Sequence, residues 1–325
     1  MDKIADTQTE YWKNETVAFL ALTSIKGVSY WTLRKIAESK IGFKELLKAN
    51  DSKQLKSFLR VGLSADEDWL DVQQGLWSQG IIKARELAKK GIKLVFMDHP
   101  SFPDSLRRIP EPPYWIFVQG SLDNLNKKSV AIVGTRAPTD DGIFLAKLVI
   151  AGMVGKNIPT VSGLASGIDQ IAHIESIRFG IPTIAVLGNG ILREYPKGSN
   201  LLKEQIIAQG GTVLTEYLPE QSYSAENFVR RNRIQAALCD TLIPVQWKMK
   251  SGTAHTVEYS YKYGKKIVNL YLPLTYELRP ELEFSEKNRA AVNFEVPSEL
   301  QNAFEYIFDG RLKSNEPPKQ QSFDL

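Results

Sequence analysis

The spacing of apolar residues divides the chain into two parts. From about residue 10 to 91, apolar residues recur at helical spacing, as in "TVAFLALTSI" and "IIKARELAKKG", and no run alternates as a half-buried strand would. Beyond Lys128, short apolar runs alternate with helical stretches at a repeat of about 25 to 30 residues, the length of a strand-helix-strand unit. These runs are residues 129–135, 159–165, 182–190, 211–217, 240–247 and 265–272.

The runs are apolar on both sides, which is typical of parallel strands covered by helices on both faces. The sequence therefore predicts an α/β protein with a Rossmann-like, doubly wound, mostly parallel sheet, preceded by a small all-α domain of helix-hairpin or SAM-like type. Prolines concentrated between residues 100 and 113 indicate the connector. We predict a helical domain over 1–95, the Rossmann-like domain over 96–275, and a C-terminal extension over 276–325 that ends in a disordered tail.

The segment "LTSIKGVSYWTLRKI" predicts two helices joined by a turn at Gly27. Such a hairpin could hold a nucleic-acid backbone on the amides of its turn, or it could serve only to pack the helices together. Ser29 stands where a second glycine would favour nucleic-acid binding. Both interpretations remain open at this point.

Composition excludes several classes of protein. The 325 residues carry a net charge of +4 and a single cysteine, Cys239, so an internal disulfide and a cage of several cysteines are excluded. Cys239 lies in an apolar run, which favours a buried structural thiol over a nucleophile. No stretch approaches the ~18 apolar residues of a membrane helix, and the polar N-terminus lacks a signal-peptide core. We expect a soluble cytoplasmic protein with no membrane contact.

Small and polar residues follow five of the predicted strands. In an open α/β sheet, ligands bind beyond the carboxyl ends of the strands, and glycines there let a phosphate approach the main chain. Five such ends in one predicted sheet favour a ligand site over ordinary tight turns. The stretches are "GTR" at 134–136, "SGLASG" at 162–167, "GNG" at 188–190, "TEY" at 215–217 and "KSGT" at 250–253.

Two common nucleotide sites do not match these loops. The first loop, "VGTRAPTDDG", lacks the G-x-G-x-x-G fingerprint of dinucleotide-binding proteins, and the second strand ends at Ser162 without the acidic residue that holds a ribose. The chain also lacks G-x-x-x-x-G-K-[ST], which argues against a P-loop ATPase. We predict no cofactor.

Cations cluster around the same strand ends. "FVRRNRIQ" puts arginines at the predicted start of a helix, where the dipole disfavours a cation unless an anion is present. A stripe of cations suits several successive phosphates better than one, and nearby aromatic rings could stack on bases or simply pack against the loops. The cations are Arg136, Lys197, Arg230, Arg231, Arg233, Lys248 and Lys250, and the aromatic residues are Tyr195, Tyr217 and Phe228.

Catalytic and metal-binding patterns are weak. Asp169 and His173 are four residues apart on a predicted helix and could supply two metal ligands, but no third ligand is evident. An Asp in the first turn is also favoured by the helix dipole alone. We predict no catalytic residue and no metal site.

Several motifs, in order and spacing, resemble those of the DNA-processing protein A family (DprA, also called Smf). The resemblance runs from about residue 95 to 272, with a helical domain ahead of it as in that family. The stretches are "FPDSLRRIPEPPYWIFVQGSL", "KKSVAIVGTRAPTDDG", "TVSGLASGIDQIAH", "TIAVLGNGILREYPKGSNLL", "GGTVLTEY", "FVRRNRIQAALCD" and "SGTAHTVEYSYKYGK".

The resemblance implies a non-catalytic protein that binds single-stranded DNA, forms a homodimer, and loads a RecA-type recombinase on incoming DNA during natural transformation. It also implies a DNA pocket formed by Gly134, Arg136, Ser162, Gly163, Lys197, Arg231, Asn232 and Arg233. The strand-end loops and the cation stripe add Gly167, Arg230, Lys250, Ser251 and Gly252 to the predicted DNA-binding residues.

Two other functions stay open. Val229 stands where the family usually has proline, and no winged-helix segment is readable after residue 280, so a DprA-like regulator that restrains a toxin partner in a phage-defence module is one alternative. The other is a nucleotide-phosphoribosyl hydrolase of the lysine-decarboxylase-like type. Its P-G-G-x-G-T-x-x-E motif is matched only partly by "KSGTAHTVE", where Glu258 lies five residues after Thr253.

Overall fold

The computed structural model describes residues 2–59 and 68–310, with the side chains of residues 2–7 left aside. The chain forms two compact units, each built from two stretches of sequence. The first unit comprises residues 1–126 and 184–231, and the second comprises 127–183 and 232–325. The predicted disordered tail lies outside the described residues, and the bounds of the three predicted domains stay predictions.

The first unit starts with helices and ends in a small mixed sheet. Strands β1, β2, β6 and β5 follow one another in that order; β1 and β6 are antiparallel to β2, whereas β5 and β6 are parallel. The elements are α1 Asp2–Leu22, α2 Tyr30–Glu38, α3 Phe43–Leu47, α4 Lys53–Phe58, α5 Trp69–Lys89, β1 Ile92–Phe96, α6 Asp104–Arg107, β2 Trp115–Gly120, β5 Thr183–Val186, α9 Ser199–Ala208 and β6 Thr212–Thr215. A short 3₁₀ helix spans Leu122–Asn126.

The second unit is a parallel sheet in the order β4, β3, β7, β8, β9. Helix α10, Ala225–Leu238, starts in the first unit and ends in the second. The other elements are β3 Val130–Gly134, α7 Asp140–Gly152, β4 Thr160–Ser162, α8 Ile168–Arg178, β7 Thr241–Val245, α11 Gly252–Lys262, β8 Lys266–Tyr271, α12 Pro280–Arg289, β9 Val292–Glu295 and α13 Leu300–Asp309. A 3₁₀ turn spans Tyr276–Leu278.

This architecture confirms the predicted α/β class with a mostly parallel sheet and a helical N-terminal region. All six predicted apolar runs contain a strand, from β3 to β8. Their burial follows from their sequence: β5, β6 and β7 are buried at every position, as expected for strands covered on both faces. The pattern of apolar residues did not predict β1 or β2, the antiparallel pair that flanks the proline-rich connector.

Aromatic packing forms the core of the first unit. The ring of Phe19 on α1 makes edge contacts with Trp115 of β2 at 4.9 Å and with Phe43 at 5.0 Å between centroids. Phe19 and Trp115 are fully buried. In the second unit the core is mostly aliphatic, with residues such as Ile132 and Val149, and includes the rings of Phe294 and Phe308. Each unit therefore has its own apolar core.

The predicted hairpin has the expected two helices, α1 and α2, with Gly27 in the left-handed region at φ 86°. Ser29 is the N-cap of α2: its side chain accepts a hydrogen bond from Thr32 N, and the Thr32 side chain accepts one from Ser29 N. This capping box stabilises the start of the helix. Ser29, which stands where a second glycine would favour nucleic-acid binding, therefore has a structural role as a helix cap.

Cys239 is fully buried at the end of α10, with its Sγ 3.5 Å from Ala236 O. Burial in apolar surroundings raises the pKa of its thiol to about 12.

Among the described residues, no helix is long and apolar enough to cross a membrane.

We expect Cys239 to resist thiol reagents at pH 8 in the folded protein. A pKa near 12 leaves on the order of one thiol in 10⁴ ionised at that pH, and the thiolate is the reactive form. Release of thionitrobenzoate from Ellman's reagent should be negligible over an hour in buffer and should reach one equivalent in 6 M guanidinium chloride. Rapid reaction without denaturant would show that the thiol is accessible.

Candidate nucleic-acid interface

Three predicted loops meet at one edge of the second unit. Strands β4, β3 and β7 are parallel neighbours, so their carboxyl ends point the same way. The loops that follow them contain 134–136, 162–167 and 250–252. The structure thus brings together the predicted residues Gly134, Arg136, Ser162, Gly163, Gly167, Lys250, Ser251 and Gly252.

Gly167 fixes the second of these loops against the first. Its φ is +81°, and a Cβ built on it would lie 2.4 Å from Thr135 O and 2.7 Å from Arg136 O. The next amide, Ile168 N, donates a hydrogen bond to Thr135 O at 3.1 Å. Only glycine allows this approach of two backbones. These contacts hold the backbone at Thr135 and Arg136, and the Arg136 side chain is exposed.

The loop between β4 and α8 already uses part of its hydrogen-bonding capacity. Ser162 Oγ donates to Ile132 O at 2.6 Å, and Gly163 N donates to the buried Asp169 carboxylate at 3.1 Å. Within the described part of the chain, the amides of residues 164–166 donate to no protein acceptor. These amides lie ahead of helix α8, where the macrodipole favours an anion.

Helices α10 and α11 meet at the third loop. Asn232 Nδ2 donates to Gly252 O at 2.9 Å. Ser251 is the N-cap of α11: its Oγ accepts from Ala254 N at 3.3 Å and donates to Lys248 O at 2.6 Å. Lys250 is exposed. Ser251 and Asn232 therefore shape the loop, and Lys250 is its exposed cation.

In the first unit, the long loop after β5 carries Lys197. Two side chains hold this loop: Asn189 Nδ2 donates to Arg193 O at 3.1 Å, and Lys203 Nζ donates to Arg193 O at 3.1 Å and to Ile191 O at 3.3 Å. Burial lowers the pKa of Lys203, and nearby glutamates oppose that shift. Lys197 itself is exposed.

Three aromatic rings cluster beside this loop. The centroid of Tyr195 lies 4.0 Å from Tyr223 and 4.9 Å from Phe228. Phe228 packs on Gly188 at the end of β5, where a Cβ would lie 2.4 Å from its ring. Tyr223 is 52% exposed and was missed by the sequence analysis. Tyr217, which we considered for base stacking, is 1% exposed and donates its hydroxyl to Asn227 O.

The three arginines of α10 differ from the other predicted cations. The helix begins at Ala225, so these arginines lie in its second turn and beyond. Arg231 and Arg233 are 4% and 1% exposed, and the Arg231 guanidinium donates to Val186 O. Arg230 is surrounded by acidic and aromatic groups of the first unit: its guanidinium is 3.6 Å from Glu111, 3.8 Å from Glu216, and 4.8 Å from the centre of the Trp31 ring.

The residues considered for catalysis or metal binding, Asp169, His173 and Glu258, have protein partners. Asp169 accepts from Gly163 N, whereas His173 Nδ1 lies 2.7 Å from Thr183 Oγ1. Burial raises the pKa of the Glu258 carboxyl, but hydrogen bonds and ion pairs with Lys262 at 3.3 Å and Arg289 at 2.6 Å together lower it below its ordinary value. The described residues contain no group of three or more His, Cys, Asp or Glu that could hold a metal ion.

A Rossmann-like sheet with glycine-rich strand ends and exposed cations is typical of proteins that bind phosphate-bearing ligands. The model of the family described as DNA recombination-mediator protein A matches residues 93–288. The chain belongs to this family, as its resemblance to the DNA-processing protein A motifs indicates.

The chain is also similar to curated proteins named DNA processing protein DprA or Protein Smf. The chain is 37% identical over 179 residues to the DNA processing protein DprA of Streptococcus pneumoniae, 33% identical over 180 residues to that of Bacillus subtilis, and 35% identical over 189 residues to Protein Smf of Synechocystis. These matches cover 53%, 55% and 57% of this chain. They span 63%, 60% and 47% of the relatives' own lengths.

Two solved structures are similar to the chain. The X-ray structure of DprA from Streptococcus pneumoniae has a TM-score of 0.61 at 26% identity and covers 88% of this chain and 94% of the other. A structure of DprA from Helicobacter pylori, described for its single-stranded DNA binding mode, has a TM-score of 0.58 at 25% identity and covers 67% of this chain and 96% of the other.

Proposed function

We propose that this protein binds single-stranded DNA and acts as a recombination mediator without catalysing a reaction on the DNA. The proposal rests on the loop between β4 and α8 in this member of the DprA family: its amides at 164–166 immediately precede Gly167, which packs against the backbone of the exposed Arg136. A DNA phosphate accepts hydrogen bonds from such amides and pairs with the guanidinium.

Within the second unit, a further phosphate would contact the exposed Lys250, and within the first unit the exposed Lys197 offers a phosphate contact of its own. A single strand carries one charge per nucleotide, so separate cations suit it better than one deep anion site. Asn232 and Arg231 act by holding the backbone of the site, at Gly252 O and Val186 O. Arg230 pairs with Glu111, and Arg233 is 1% exposed. The remaining predicted residues, Gly134, Ser162, Gly163, Gly167, Ser251 and Gly252, shape the backbone of the same loops.

The cluster of Tyr195, Tyr223 and Phe228 supports a preference for single strands over duplex. Bases are available for stacking only when the strand is unpaired, and one stacked base contributes about 1–3 kcal/mol. Tyr223 is half exposed and offers its ring to such a base.

The biological role we propose is loading of a RecA-type recombinase on single-stranded DNA by a cytoplasmic homodimer of this chain. Family membership supports this role, and the DprA of Helicobacter pylori is described as binding single-stranded DNA.

Fluorescence anisotropy tests the DNA-binding proposal. A labelled strand of 30 nucleotides, its duplex and a panel of mononucleotides are titrated with the protein at 50 and 200 mM salt. We expect the single strand to bind tightest, with an affinity that falls by about tenfold or more at the higher salt. If a mononucleotide binds saturably and the strand does not, the ligand of this site is a small molecule and not DNA. If the affinity for the strand does not depend on salt, the protein does not contact the phosphates.

A further inference from the structure

The first unit contains a cavity of about 650 Å³ that the DNA proposal does not use. Helices α1, α2 and α5 form one part of its wall, and the loops after β5 and β6 form the other. Sites for small molecules in proteins are usually about 300–1,000 Å³ and mostly apolar, with a few polar groups that orient the ligand. The size of this cavity is in that range.

The walls are largely apolar. Leu20 and Leu87 are 2% and 6% exposed and form the base, while Leu218 and Pro219 line the opposite side. Trp31 also lines the cavity and is 47% exposed, which is unusual for so large an apolar side chain. One face of its ring contacts the guanidinium of Arg230. An apolar ligand would remove the remaining exposed surface of Trp31 from water.

One half-buried cation faces this apolar surface. Lys83 Nζ donates to Thr23 Oγ1 at 2.8 Å, and Thr23 in turn donates to Leu20 O at 2.6 Å. Within residues 2–59 and 68–310, no carboxylate lies within 4.0 Å of Lys83 Nζ. Burial lowers the pKa of Lys83, and Glu86 opposes that shift. A partly desolvated ammonium with a neutral partner is stabilised by an anion.

The charges around the cavity favour a single negative charge on the ligand. Lys83 and Lys90 line it together with Glu86 and Glu220. Glu220 forms an ion pair with Arg193 at 3.3 Å, so its charge is balanced outside the cavity. The other three charged groups, Lys83, Lys90 and Glu86, together carry one net positive charge.

We propose that this cavity binds a small amphipathic organic anion, with its apolar body against Leu87, Leu218 and Trp31 and its carboxylate or other acidic group on Lys83. This site lies entirely within the first unit and is distinct from the residues proposed to contact DNA. The proposal does not depend on DNA binding, because the ligand is tested on the protein alone.

Decanoate is a suitable probe because it has a flexible apolar chain and one carboxylate. Isothermal titration calorimetry of the native protein should show saturable binding of one decanoate. Decyltrimethylammonium, which has the same chain and the opposite charge, should bind at least about tenfold more weakly. Equal affinity for the two amphiphiles, or no saturable binding of decanoate, would overturn the proposal without affecting the proposed DNA binding.

Three substitutions test whether decanoate binds in this cavity. Lys83→Met should weaken decanoate binding by about tenfold or more, whereas Lys13→Met, at an exposed lysine of α1, should leave it unchanged. Decanoate should also change the tryptophan fluorescence of the native protein, and Trp31→Phe should remove most of that change. Unaltered affinity in a folded Lys83→Met protein would contradict the assignment. If Lys83→Met fails to fold, the comparison of the two amphiphiles on the native protein still decides the proposal.

Discussion

Replacing Arg136 by glutamate is expected to lower the affinity for single-stranded DNA by about 60-fold at 50 mM salt. Each phosphate contact with a single strand raises the association constant by about eightfold at that salt concentration. A charge reversal removes one such contact and adds a repulsion of equal size, so the two factors multiply. The side chain is exposed, and its backbone is held by the contact with Gly167. Far-UV circular dichroism checks that the variant is folded before its affinity is compared.

The matched control is Arg85→Glu, which reverses an exposed arginine on α5 and should change the affinity by less than about twofold apart from the effect of net charge. Anisotropy titrations at several salt concentrations separate the two variants. The slope of log K against log salt should become shallower by about 0.7 or more for Arg136→Glu only. Equal losses in the two variants would mean that overall charge, and not contact at Arg136, determines the affinity.

Replacing Gly134 by alanine is expected to destabilise the protein by about 3 kcal/mol or more. Gly134 pairs with Val245 at the carboxyl ends of β3 and β7, and a Cβ there would lie 2.0 Å from Val245 O and 2.7 Å from Ile168 Cγ1. The nearest of these atoms belongs to the backbone, so the clash is relieved only by moving the two strands apart.

Gly252→Ala is the matched control. Gly252 is the first residue of α11, its φ lies outside the left-handed region, and a Cβ there would meet no heavy atom within 4 Å. Alanine also favours helix, so the free energy of unfolding should change by less than about 1 kcal/mol. Urea unfolding followed by far-UV circular dichroism measures both variants. A Gly134→Ala protein as stable as the native chain would show that β3 and β7 can separate at little cost.

Most of the parallel sheet could be predicted from sequence because strands buried on both faces are continuous apolar runs. The strands β1 and β2 were missed for the opposite reason. The run that becomes β2 follows closely on Pro112 and Pro113, and that of β1 continues directly from helix α5, so neither shows the regular alternation with helices. Long-range antiparallel pairing, as of Phe117 with Thr215, leaves no local signal.

The candidate site shows a similar division. Spacing alone identified the glycine-rich strand ends and the exposed Arg136, Lys197 and Lys250. It did not indicate that Arg231 and Arg233 are buried. The local sequence shows that these side chains are charged, but the hydrogen-bond acceptors that allow their burial come from distant parts of the chain. The contact of Arg230 with Trp31 joins residues about 200 positions apart, which no pattern could reveal.

Photochemical crosslinking tests most directly whether single-stranded DNA contacts the strand-end loops. A strand that carries 5-iodouracil is irradiated in complex with the protein, and the crosslinked peptides are identified by mass spectrometry. We predict crosslinks at Tyr223 or Tyr195 and none at Tyr11, which is also about half exposed but lies on α1. Crosslinks confined to the hairpin of α1 and α2, at Trp31 for instance, would contradict the claim and place the DNA on the helical turn at Gly27.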